Sequence, residues 1–260
     1  DAFDSFLFLD GKPLASTTLD KSDAAELDAD GNVSISKALS VRDKRLAAIV
    51  DPCLGFKGYG WTRVEGAKMT SATGYTIGKF DDPEAFELYY RQNIGTNYTD
   101  APIFWLAPVY LAYAEAKAEL GTITQDDLNK TINKLQARAG LPDMTTAPAA
   151  DPANDMGVSN LLWEIRRCRR CELMLDNWYR YWDMIRWHQL DKLDTNKNPD
   201  ILLGANVGNI PNLEVDINAD GYIIASQNAS RVYEAKHYLY PIPSTQITLN
   251  PNLGQNPGWK

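Results

Sequence analysis

The sequence predicts an α+β, mainly α protein: tetratricopeptide-like helical hairpins packed with a loop-rich subdomain of short strands. Three observations carry that prediction. Between 102 and 190, apolar residues recur at helical spacing. Before that, short β-like runs alternate with Gly, Pro, Asp and Asn clusters. After it comes a return to turns and a proline-pinned apolar tail. Residues 1–260 read as one region in three parts: 1–100 loop-rich, 101–190 helical, and 191–260 short strands and a C-terminal strap. With 260 residues, 44% of them apolar and 23% charged, the chain has the composition and length of a protein that buries a substantial core.

In the first part the runs Phe6 to Leu9, Val33 to Ile35 and Tyr75 to Lys79 are candidate strands, and Asp30-Gly31 is a hairpin turn. The helical part opens at Pro102. Ile103, Leu106, Tyr110, Tyr113, Ala114 and Ala118 share a face, Gly121 supplies the stop, and Pro108 should bend the helix or delay its effective start. Thr124 with Asp127 approximates a capping box for a second helix bearing Leu128, Ile132, Leu135 and Ala139, closed by Gly140 and Pro142. The two make an αα-hairpin of nearly tetratricopeptide length, without that repeat's signature residues. Ser159 caps a third helical stretch reaching Leu190, which should break near Asp176-Asn177 because nothing else interrupts so long a run.

The tail holds Pro241, Pro243, Pro251 and Pro257, which remove backbone donors and exclude a long helix or central strand. Thr245 to Leu249 has room for little more than a strand. Tyr238, Leu239, Tyr240, Ile242, Ile247, Leu249, Leu253 and Trp259 are expected to be buried, so the tail reads as a strap clamped into a groove of the helical body.

Several functions are weakened by composition. A net charge of −8 argues against nucleic acid; the basic run Arg166, Arg167, Arg169 and Arg170 is read as intrahelical pairing with Glu164, Glu172 and Asp176 on a solvated face. No apolar run approaches a membrane span, and no charged, then apolar, leader precedes Asp1, as expected of a mature or trimmed protein or a fragment. Cys168 and Cys171 form a mid-helix CxxC, read as packed thiols rather than a redox or zinc site; Cys53 stands alone. Asp216, Asn218, Asp220 and Gly221 mimic half a calcium loop, but Gln227 replaces the closing glutamate and a turn is the stronger reading. His188 and His237 read as structural, no phosphate loop or dinucleotide fingerprint is present, and no cofactor is expected. Asp183 shares a helix face with Arg180 and Arg186, read as a fixed ion network that docks the strap and helices rather than as an anion or substrate site.

The tail YLYPIPSTQITLNPNLGQNPGW closely resembles the C-terminal signature of the SusD/RagB family of nutrient-binding outer-membrane lipoproteins. YLAYAEAKAELG (Tyr110 to Gly121), INKLQARAGLP (Ile132 to Pro142) and RRCELMLDNWYRYWDMIRW (Arg169 to Trp187) are similar to its paired helices and arginine-rich block. VRDKR from Val41 and GYTIGKF from Gly74 resemble weaker landmarks. Two departures stand out: Cys168 sits where the family usually has glutamate, and the spacing from Glu172 to Arg180 is one residue longer than usual. The family's N-terminal helical half, with its lipid-bearing cysteine, is not in this sequence. The resemblance implies non-catalytic capture of an oligosaccharide, polysaccharide or other nutrient at the outer-membrane surface. It implies a SusC-like TonB-dependent transporter as partner, and membrane attachment only through a lipid anchor outside this sequence. A glycoside hydrolase, or a helical-repeat interaction module, is the alternative.

Sugar rings are held by stacking on flat aromatic faces with hydrogen-bonding groups nearby. The stretch Phe56 to Arg63 is the leading loop candidate: glycines flank Tyr59 and Trp61, and Lys57 and Arg63 supply donors. Tyr59, Trp61 and Arg63 are therefore the expected ligand contacts, with Tyr75 a second choice. Trp105, Trp163 and Trp182 sit at helical core spacing and are expected to pack rather than bind.

Overall fold

The computed structural model describes residues 2–55, 71–82, 84–87, 89–90, 95–96, 98, 100, 102–227 and 230–260, together with the backbone of 61–62 and 68–69. Its described strands are short and pair antiparallel in three ribbons: β1 (Glu26–Leu27) with β2 (Val33–Ser34), β3 (Trp61–Thr62) with β4 (Lys68–Met69), and β5 (Leu203–Asn206) with β6 (Tyr222–Ile224). The first ribbon turns on Asp28, whose carboxylate accepts from the amides of Asp30 and Asn32 while Gly31 takes φ +81°. A tight turn at Asn218 enters β6 and folds Ile217 back against Ile223; the Asn218 side-chain oxygen accepts from the Asp220 and Tyr222 amides at 3.0 and 2.9 Å. The Asp220-Gly221 segment is thus a hairpin turn. Phe6 to Leu9 and Tyr75 to Lys79 contribute only single bridges, Phe8 to Arg42 and Ile77 to Val50, instead of strands.

The helices are α1 (Ser36–Ser40), α2 (Lys44–Ile49), α3 (Leu106–Glu119), α4 (Gln125–Lys130), α5 (Ile132–Ala139), α6 (Asn160–Glu172), α7 (Tyr179–Arg186) and α8 (Ser244–Leu249). Pro108 falls in the first turn of α3, where its missing N–H leaves no bond unmade, so the helix starts late and is not bent there. The capping box at Thr124 forms as the spacing predicts. The expected single second helix is instead two. At Thr131 (φ −127°, ψ −89°) the hydroxyl donates to Asp127 O at 2.6 Å, and this back-bond accompanies the break between α4 and α5. The predicted break near Asp176-Asn177 is present: Leu175, Asn177 and Trp178 all take positive φ, and α7 starts anew at Tyr179.

Among the described residues two large apolar cores result, beside a small cluster of Leu7, Ala139 and Leu141. One gathers Phe6, Ile35, Leu46 and Leu54 with Ala205, Val207 and Ile223, so the loop-rich start and the β5–β6 ribbon are packed together. The other lies between α3, α4, α5 and α6 and contains Leu111, Leu128, Ile132 and Ile165. Cys171, at the end of α6, belongs to the first core and Cys168, one turn earlier, to the second; the helix stitches the two.

The tail departs from expectation. Thr245 to Leu249 lie in α8, a helical turn entered from Pro243 at φ −54°, and not in a strand. None of residues 237–260 is buried, and Leu239, Tyr240 and Leu249 are 48%, 67% and 78% exposed. It is nevertheless fixed. Tyr240 and Tyr181 share a hydroxyl bond of 2.6 Å, Tyr238 accepts from Leu190 N at 3.1 Å, and its ring meets His188 at 4.9 Å. Internally, Gln255 bonds both N and O of Ile242, and Trp259 Nε1 donates to Leu239 O at 2.9 Å. The strap is a surface seam along α7 held by polar bonds, not an apolar plug in a groove. No helix among the described residues is long and apolar enough to cross a membrane.

Candidate functional site

The arginine run of α6 is not a solvated face. Arg167 and Arg169 are buried, and the run reaches mostly across helices. Arg166 donates to Glu115 of α3 (3.0 Å) and Glu119 (2.8 Å), Arg167 to Asp151 (2.9 Å) and to Glu164 on its own helix, and Arg169 to both oxygens of Asp183 on α7. Glu115 is the hub. It also accepts from Arg186 (3.0 and 2.6 Å) and from Trp187 Nε1 (2.8 Å). Burial pushes its carboxyl up, but the bonds and charge of Arg186, the indole N–H and Arg166 outweigh burial and hold it below the ordinary value.

This network locks α3, α6 and α7 together, as an ion cluster read from Asp183 and Arg186 predicts, with two corrections. It docks helices and not the strap, and Arg180 is outside it: Asp183 is taken by Arg169 and Arg186. Arg180 instead lines a cavity of about 570 Å³. Burial and the neighbouring Arg170 guanidinium lower it to about 10, so it stays charged at neutral pH. A second charged cluster fixes α2: Asp43 caps it through Arg45 N (2.9 Å) and pairs with the Arg45 guanidinium, which also reaches Glu172 (3.2 Å) and Cys168 Sγ (3.4 Å). The Cys171 thiol donates to Ser5 O at 3.3 Å, and burial pushes it up to about 12. Both α6 thiols are packed and inert, in agreement with the reading from the sequence.

A groove on the described surface has the chemistry of a sugar site. It has a volume of about 620 Å³ and is lined by Phe80, Trp105, Tyr110, Asp82, Asp100 and Arg138 among others. Trp105 is the residue before α3, in extended backbone (φ −148°, ψ 171°), and it meets Tyr179 edge-on at 5.8 Å. Phe80 is 49% exposed. Lys79 anchors the adjoining segment through Asp176 (2.8 Å) and Met174 O (2.7 Å), fixing one wall against the turn before α7. Aromatic rings beside carboxylates and a guanidinium offer stacking together with acceptors and donors for hydroxyls.

Of the residues expected to bind, Tyr59 and Arg63 lie outside the described residues. The backbone of Trp61 pairs with Met69 in the β3–β4 ribbon. Tyr75 is placed against the first core, its ring stacked on Phe3 at 5.7 Å and 21°, and burial raises its hydroxyl above the ordinary phenol value. One of its ring faces is therefore taken. Trp105 stands just before the helix; it is partly buried against the second core, as its spacing predicts, and it also lines the groove. Trp182, 56% exposed, breaks the expectation that it packs in the core, and the neighbouring Trp178 is 80% exposed.

Comparison with known proteins bears on what this architecture is. A model of the SusD family matches residues 1–259. Among solved structures, the chain is similar to a SusD-like protein from Bacteroides fragilis NCTC 9343, at 24% identity and TM-score 0.63, covering 99% of this chain and 46% of that one. It is also similar to a SusD-like carbohydrate-binding protein from the same organism, at 24% identity and TM-score 0.62, covering 98% of this chain and 47% of that one. At this identity the likeness is one of fold, and the chain spans less than half the length of these relatives. No curated protein sequence matches. The match over nearly its whole length establishes that the chain belongs to the SusD family.

Proposed function

We propose that this chain takes part in non-catalytic capture of an oligosaccharide, polysaccharide or other nutrient at the outer-membrane surface, for delivery to a SusC-like TonB-dependent transporter. The observation that carries the reading is membership of the SusD family across residues 1–259. A fold relative described as carbohydrate-binding supports it. So does the groove at Phe80, Trp105 and Asp100, which pairs aromatic rings with polar groups in a volume suited to a small ligand. In this reading the glycan stacks on the groove aromatics and on the loop of Tyr59, Trp61 and Arg63, is held by hydroxyl hydrogen bonds, and leaves unchanged. Attachment to the membrane is through a lipid anchor outside this sequence.

Calorimetry against a glycan panel tests the proposal. A saturable signal with some polysaccharide, weakened about tenfold by Trp105→Ala or Trp61→Ala, is the expected result, since base- or sugar-stacking side chains contribute on the order of 1–3 kcal/mol each. Absence of binding to every glycan, or binding untouched by either substitution, would remove the site assignment.

A further inference from the structure

The cavity of about 570 Å³ beside α6 and α7 is separate in its lining from the aromatic groove and differs in chemistry. Its wall carries Arg166, Arg167, Arg170, Arg180 and Lys192 against Asp4, Asp151 and Asp155, five formal positive charges to three negative. Arg166 pairs with Glu115 and Glu119, Arg167 with Asp151 and Glu164, and Lys192 with Asp155 at 2.7 Å, and Arg170 is engaged as well. Arg180 makes no hydrogen bond or ion pair among the described residues, although it is mostly buried and the nearest carboxylate along its helix, Asp183, faces Arg169 and Arg186. A guanidinium withdrawn from water without an anion is costly to keep, and its planar fork is matched to a carboxylate or sulfate.

Two indoles complete the wall. Trp163 and Trp187 line the same cavity, with the Arg167 and Arg166 guanidinium groups 5.9 and 4.9 Å from their ring centroids. The combination is cationic at one end and aromatic at another, on a scale that holds a small ligand.

We propose that this cavity binds the anionic group of an acidic sugar, a carboxylate or sulfate ester, with Arg180 as the residue that receives it. The sugar body rests on the capture function proposed above; the charge requirement rests on Arg180 alone. Titration calorimetry on this chain separates them, using a uronate disaccharide, a sulfated disaccharide, the matching neutral disaccharide and sodium sulfate, each at low and high salt. The expected result is binding of one acidic disaccharide that weakens with salt, and a loss of tenfold or more in Arg180→Gln with partial retention in Arg180→Lys. Because Arg180 has no hydrogen-bond or ion-pair partner to orphan among the described residues, Arg180→Gln should melt no lower than the parent; were it to fail to fold, Arg180→Lys against parent carries the comparison. Equal affinity for acidic and neutral sugars, or binding indifferent to Arg180, overturns the proposal. Binding of sulfate alone, an adventitious ion only, overturns it too. Neutral glycan bound without any acidic preference would sink the cavity and leave the capture reading standing. Acidic sugar bound through Arg180 with no neutral glycan bound anywhere would support the cavity and remove the neutral groove reading.

Discussion

Glu115→Gln should be the most damaging conservative substitution in the helical half. The side chain is 5% exposed and accepts from Arg166, Arg186 and Trp187 at 2.6–3.0 Å. Removing one member of a buried pair costs about 3–5 kcal/mol, because the remaining charge keeps its desolvation without its partner. Here Arg166 retains Glu119, and Arg186 is 42% exposed and retains Asp183, which places the loss near the lower end, about 3 kcal/mol. In a chain of this size that is a fall of about 6–12 °C in melting temperature. Urea unfolding should read it as a lower midpoint with an unchanged slope. The pH dependence has a definite sign. The folded-state carboxyl is held below its ordinary value, so its stabilisation is present above the unfolded pKa and lost as pH falls through the folded one. The gap between parent and Glu115→Gln should therefore be full at neutral pH and close on acidification. A gap below about 1 kcal/mol at neutral pH, typical of a surface pair, or one that does not change with acid, would refute the hub reasoning.

Other substitutions test other seams. Gly204→Ala would place a Cβ 2.2 Å from Thr73 O, where backbone has to move and the Ala205 N to Thr73 O bond (2.8 Å) is broken; loss of about 3 kcal/mol or more, or insoluble protein, is expected by circular dichroism and expression. Asp43→Ala removes both the cap of α2 and the partner of buried Arg45, and should lower stability by about 3 kcal/mol or more in the same urea assay. A thiol reagent on the native protein should modify Cys53, which is half-buried, while Cys168 and Cys171 become reactive only in denaturant; rapid native labelling of all three would contradict the packing of α6.

What was legible from sequence is what local signals encode. Thr124 with Asp127, Ser159 before its helix, Gly140 after α5 and the break at Asp176-Asn177 act over a few residues and stand where the sequence places them. The arginine run was not legible in its role, because its partner Glu115 lies 51 residues away from Arg166 and only tertiary packing brings them together. Intrahelical spacing offers Glu172 to the run, yet Glu172 pairs with Arg45 and Arg138. The tail's apolar composition suggests burial, whereas Gln255, Asn256 and Tyr238 fix it with hydrogen bonds at the surface. For the site, spacing places Trp105 against the core, where it does pack, but not at the groove edge it also forms one residue before the helix. Arg180 shares a face with Asp183 by count, and two other arginines win that carboxylate.

The measurement that bears most directly on the central claim is calorimetry of this chain with a glycan panel, run together with a reducing-end assay on the same mixtures. Saturable binding to at least one glycan with no growth in reducing ends is the predicted result. Release of new ends, or silence against every glycan alongside tight binding to a protein partner, would contradict capture without turnover.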